Sequence, residues 1–249
     1  MTIPSHLYKY QTKTEYSLAS LKKGTVWLSS PTSFNDPFDC AINLDRKKIK
    51  ESLAHAVDEI TKGANVSEEA MLGFKTVKPA DEIAYDQLRE SLKEVMQSIG
   101  VLCLSEVPDE ILMWSHYANY HKGFCIEYAL GENSILKEMA KPVRYTEIFP
   151  SLSLVNLPSG AKDNFLEICI YTKAIQWRYE KEWRVIMDEG GKLFKAPAPI
   201  SAIIFGARMP HNDKIEIYEA LKKDKNISFK EAYLLDGLFG LGFLPFNPQ

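Results

Sequence analysis

The segment from Val101 to Tyr128, VLCLSEVPDEILMWSHYANYHKGFCIEY, constrains the fold of this 249-residue chain more than any other stretch. Val101 to Ser105 is a short apolar run behind Gly100 and ahead of acidic and proline residues, the pattern of a buried strand. Pro108 opens a turn, and Asp109 to His116 has room for a short helix with its acidic residues at the end favoured by the helix dipole. Gly123 closes that excursion, and Phe124 to Tyr128 reads as a second strand carrying Cys125 and Glu127 on one face. Trp114, Ser115, His116, Tyr117 and His121 therefore hang between two core strands, where a rigid scaffold commonly presents reactive groups.

The remaining chain alternates helical and strand signals. His6 to Tyr10 is strand-like, Thr12 and Glu15 have the capping-box spacing that starts a helix, and Gly24 stands where that helix should end. Thr25 to Ser29 follows as a β-branched and aromatic strand, and Ser30 to Cys40 as an ordered loop with an Asx-type turn. Lys47 to Lys62 and Asp81 to Ser98 have helical periodicity and form an inserted helical pair over about 45–98. A short helix over Asn133 to Met139 precedes a strand over Val143 to Thr146, then a loop over Phe149 to Lys162 and a helical stretch over Asn164 to Tyr171. Gln176 to Met187 reads as a strand and Gly190-Gly191 as a hairpin turn. Ile200 to Phe205 reads as a strand, His211 to Lys223 as a helix and Ile227 to Leu234 as a last strand. The expected fold is α+β, one domain over residues 1–249 with a largely antiparallel sheet core, open to a split into two small sheets. The apolar tail from Gly237 is expected to dock on the body or on a second copy in a homo-oligomer.

Composition narrows the function classes. A net charge of −3 gives no electrostatic case for non-specific nucleic-acid binding, leaving room only for a local basic patch, and no segment is apolar enough over the length needed to span a bilayer. MTIPSHLYKY lacks the basic start and apolar run of a secretion signal, so a cytoplasmic protein is expected. Cys40, Cys103, Cys125 and Cys169 never form a Cys-x-x-Cys pair, which points to reduced thiols and no metal.

Within WRYEKEWR, Glu180, Glu182 and Arg184 are spaced by two, so a strand puts all three on one face with Trp183 and Val185 on the other. Two adjacent carboxylates push each other's pKa apart, which suits one of them to act as a base. The plainer reading is an edge strand with charges facing solvent. With His116, the two glutamates would also serve a hydrolase or nuclease. A third alternative is a non-catalytic binding module in a defence or regulatory assembly, using the aromatic loop and the WSHY turn.

LYKY, SSPTSFNDPFD, CLSE followed by MWSHYANYHKGFCIEY, and WRYEKEWR together resemble the bacterial family of unknown function DUF2971. A second resemblance, at the level of fold, is to ADP-ribosyltransferases, which bind NAD in a cleft between two small sheets. That resemblance implies an NAD-using transferase acting as a toxin or phage-defence effector. It places Lys9, beside Tyr10, in the slot of the NAD-anchoring Arg or His, Ser29 or Ser30 in the slot lining the nicotinamide, and Glu182 in that of the late catalytic glutamate. Lysine in the first slot departs from the family. Lys9, Ser29, Ser30, Trp114, His116 and Glu182 are expected to line one pocket, with Tyr117 beside them.

Overall fold

In the computed structural model, residues 3–41, 43–47, 49–51, 54, 80–131, 134–152 and 167–249 are described. The elements are β1 (His6–Gln11), α1 (Glu15–Lys23), β2 (Thr25–Leu28), β3 (Asn43–Leu44), α2 (Ala80–Ser98), β4 (Gly100–Ser105), α3 (Ile111–Tyr117) and β5 (Phe124–Ala129). They continue with α4 (Ile135–Met139), β6 (Lys141–Pro142), β7 (Arg144–Thr146), β8 (Ser151–Leu152), β9 (Thr172–Ala174) and a 3-10 turn over Ile175–Glu180. The last are β10 (Glu182–Met187), β11 (Lys192–Lys195), β12 (Ile200–Phe205), α5 (His211–Leu221), β13 (Ser228–Leu234) and β14 (Leu241–Pro245). This is an α+β fold. Most of the first predicted insert helix, over Lys47 to Lys62, and of the stretch from Phe149 to Tyr171 lies outside the described residues.

The chain divides into two compact units. One comprises Met1–Ser29, Gly100–Val143 and Gln176–Gln249, and the other Ser30–Ile99 and Arg144–Ile175. The first holds an eight-stranded sheet in the order β14-β13-β12-β5-β1-β4-β10-β6, antiparallel except between β12 and β13, which α5 connects. Leu7, Leu102, Leu104, Phe124, Ile126, Trp183, Val185, Ile203 and Phe205 form the main core with Leu18 and Leu21 of α1. A second cluster around Tyr10, Trp114, Cys125 and Ile204 takes in α3. In the second unit α2 matches the predicted helix, β3 pairs with β8 and β7 with β9, both parallel, and the buried Lys173 and Asp39 pair at 3.3 Å.

Local chemistry explains where elements begin and end. Helix α1 is capped by Thr14, not Thr12: the Thr14 and Ser17 side chains each accept from the other's backbone N–H, so serine does the reciprocal work expected of Glu15. Gly24 ends the helix at φ 60°, a conformation that costs glycine nothing. In the Ser30 to Cys40 loop, the Phe38 N–H donates to Asp36 Oδ1 at 2.9 Å, the expected Asx turn.

Two expectations need correction. Gln176 to Met187 is not one strand: Lys181 has φ 43°, so β10 starts at Glu182 and Glu180 sits in the 3-10 turn. Glu180 therefore leaves the row of Glu182 and Arg184, and none of the three faces solvent at an edge, because all are buried. Nor does Gly190-Gly191 make a hairpin of β10 with β11. Gly191 does take φ 68°, but β11 pairs with β2, from Lys192↔Leu28 to Lys195↔Thr25. The tail docks on its own unit, as β14 against β13, with Phe239 at the hairpin tip fully exposed.

Candidate functional site

Strand β1 pairs with β5 along its whole length but meets β4 only at Tyr8↔Ser105. Beyond that pair β4 is bridged at Val101 by Ser29, the residue after β2. Where β1 and β4 part, a cavity of about 730 Å³ is lined by the end of β1, the face of α1 and the β2–β11 ribbon. Its walls carry Lys9, Tyr10, Gln11, Thr12, Thr14, Tyr16, Ser17, Ser20, Lys23, Trp27, Ser29 and Tyr117. The volume lies within the range of small-molecule sites.

Lys9 is half-buried, and among the described residues no hydrogen bond or ion pair holds its ammonium. Burial lowers its pKa, while Cys103, Glu182 and Cys125 pull the other way without restoring it. Both thiols are themselves pushed well up by burial and stay protonated. Glu182 is already engaged: Arg184, fully buried, donates from Nε to Glu182 Oε1 and from Nη2 to Oε2, both at 2.8 Å. Glu182 is within electrostatic reach of Lys9 but does not line the cavity.

Glu180 reaches the cavity indirectly. The Tyr117 hydroxyl donates to Glu180 Oε1 at 2.7 Å, and the Ser105 hydroxyl donates to the Glu180 carbonyl at 2.6 Å. The Lys181 bend frees the Glu180 side chain from the sheet, and Ser105 pins its backbone below α3. The Tyr10 hydroxyl donates to the Val107 carbonyl at 2.7 Å, and burial raises its pKa.

The expected site residues thus separate. Lys9, Tyr10, Ser29 and Tyr117 come together in the cavity, and Glu180 joins them through Tyr117. Trp114 is fully buried, with its indole N–H donating to the Pro108 carbonyl at 2.7 Å and its face over His121, and does not line the cavity. His116 is exposed and packs in an aromatic group with Trp177 and Tyr179, ring centres 6.1 and 6.4 Å away. Ser30 belongs to the second unit, where its hydroxyl donates to the Met96 carbonyl. Asn119, Tyr120 and His121 all have positive φ, a run that folds the chain back so that His121 meets Ser115 at 3.2 Å. This turn passes so close to Gly206 that a Cβ there would sit 2.2 Å from the His121 carbonyl.

Sequence reasoning missed the contribution of α1. Thr14, Ser17, Ser20 and Lys23 recur every three residues and all line the cavity. A helical wheel would have shown that stripe, but three small hydroxyls carry no chemical signature by themselves. Among the described residues no group of three or more His, Cys, Asp or Glu side chains is arranged for a metal ion, and no helix is long and apolar enough to cross a membrane. No curated protein and no solved structure matches the chain. Residues 113–185, from α3 through Tyr117 and Glu180 into β10, match the model of a family described as protein of unknown function (DUF2971), which supports placing this segment in that family.

Proposed function

We propose that the protein is an NAD-using enzyme that transfers or releases ADP-ribose, as a toxin or phage-defence effector would. The observation that carries this reading is the meeting of Lys9, Tyr10, Ser29 and Tyr117, from three separate segments, around one cavity with room for an extended nucleotide. Its walls carry groups suited to the parts of such a molecule: Tyr16 and Trp27 offer aromatic faces to a base, the Ser20 hydroxyl offers a hydrogen bond to ribose, and Lys23 offers charge to phosphate.

The carboxylate best placed to act is Glu180, not Glu182. Glu182 has both oxygens on Arg184, whereas Glu180 is connected to the cavity by the Tyr117 hydroxyl. A phenol that donates to a carboxylate becomes a better acceptor at its own oxygen. Tyr117 would then take a hydrogen bond from a ribose hydroxyl and favour the positive charge that grows at the anomeric carbon as nicotinamide leaves. Calorimetric titration with NAD, alongside nicotinamide release, tests this. Wild type should bind and turn over NAD, and Tyr117→Phe and Glu180→Gln should each lose about a hundredfold in rate while still binding. Absence of NAD binding by the folded wild-type protein would sink the reading.

A further inference from the structure

Lys9 is the feature that NAD anchoring leaves unexplained. An anchor for phosphate is best served by a permanent charge, and arginine supplies one at any physiological pH. Lysine differs in being able to lose its proton and attack carbon. Lys9 stands on a strand paired to β5 from His6↔Ala129 to Gln11↔Phe124, so its backbone is fixed while its side chain lines the cavity.

The groups around it do little to keep it charged. Glu182 on β10 is neutralised by Arg184 at 2.8 Å, and Cys103 on β4 and Cys125 on β5 remain thiols. Tyr117 from α3 and Lys23 from α1 line the same cavity, and Lys23, being a cation, does not favour a proton on Lys9. Burial lowers the Lys9 pKa in the same direction.

We propose that Lys9 is an amine nucleophile that condenses with the carbonyl group of a phosphorylated ligand held in the cavity between β1, α1 and β2. The neutral amine adds to the carbonyl carbon, forming the C–N bond as the C=O π bond opens to a carbinolamine. One amine proton passes to the oxygen as the carbinolamine forms, and the other leaves with that hydroxyl as water to give the imine. No oxidant or reductant is consumed. Lys23 supplies the charge for the phosphate. The identity of the natural ligand rests on the NAD reading: ADP-ribose, freed of nicotinamide, opens to an aldehyde at the carbon the cavity would hold. The amine chemistry itself does not rest on it.

The experiment treats the full chain with a limiting amount of pyridoxal 5′-phosphate, reduces the imine with borohydride and maps the adduct by peptide mass spectrometry. A second arm uses ADP-ribose with cyanoborohydride. Near neutral pH, Lys9 should be labelled ahead of the exposed Lys122, because the cavity holds the phosphorylated aldehyde beside the Lys9 amine. Lys9→Arg should lose that adduct with its melting temperature unchanged. Labelling by both probes supports the nucleophile and the ADP-ribose ligand. Labelling by pyridoxal phosphate alone supports the nucleophile and counts against the NAD reading. If label follows exposure and spares Lys9 in the wild-type protein, the proposal is wrong whether or not Lys9→Arg folds.

Discussion

Two cationic positions in the sheet, one buried and one half-buried, are treated in opposite ways. On β10, Arg184 is fully buried and meets Glu182 through two hydrogen bonds of 2.8 Å, a bidentate pair placed between strands β4 and β6. On β1, Lys9 faces a cavity and no described residue pairs with its ammonium. A desolvated charge that is paired belongs to the architecture, because removing one partner strands the other. A desolvated charge left open toward a cavity lowers stability and is best understood as serving a ligand. The sequence makes the two look alike, since each is a cation on a strand flanked by apolar neighbours.

Substitutions can break this contrast. Arg184→Met should be the most damaging, costing about 3–5 kcal/mol because Glu182 loses its guanidinium inside the sheet. Adding Glu182→Gln should recover much of the loss in a chemical denaturation series. A double mutant no better than the single would mean that Arg184 acts chiefly through other contacts. Tyr117→Phe removes the donor to the buried Glu180 and should cost about 1–2 kcal/mol, visible as a lower denaturation midpoint with unchanged slope. Thr14→Ala removes a side-chain cap from α1 and should cost about 1 kcal/mol, loosening the cavity wall without touching β10.

Lys9→Met should have the smallest effect on stability, under about 1 kcal/mol, and of the opposite sign. Here pH sharpens the test. The folded pKa of Lys9 lies below the ordinary 10.5, so between the two values the unfolded chain holds more protons and stability rises with pH. The penalty is fully present below the lowered value and has vanished above 10.5. Lys9→Met should lack that rise when melting temperature is followed across the window, and an identical pH profile in both proteins would show that Lys9 titrates normally.

Much of the fold was legible in the residues. Val101 to Ser105, Phe124 to Tyr128 and Ile200 to Phe205 lie within β4, β5 and β12 because unbroken apolar runs bounded by turn residues have few alternatives. What the pattern concealed was backbone geometry that ordinary residues adopt at a cost. Lys181 at φ 43° breaks a perfect two-residue alternation, and nothing about lysine announces it. The turn at Gly190-Gly191 was visible, but the pairing of β11 with β2 depends on partners far apart in sequence. The site was half legible for the same reason. Lys9, Tyr10, Ser29 and Tyr117 stood out by type and converge, while the α1 hydroxyl stripe draws its meaning only from the cavity it faces.

The most direct test of the central claim, that the cavity beside Lys9 is the working site, is a crystal structure of the protein soaked with NAD. The account predicts ligand density between Lys9, Trp27 and Tyr117, with a ribose hydroxyl within hydrogen-bond distance of the Tyr117 oxygen. Ligand bound instead over the aromatic group of His116, Trp177 and Tyr179, with the cavity filled only by water, would contradict it.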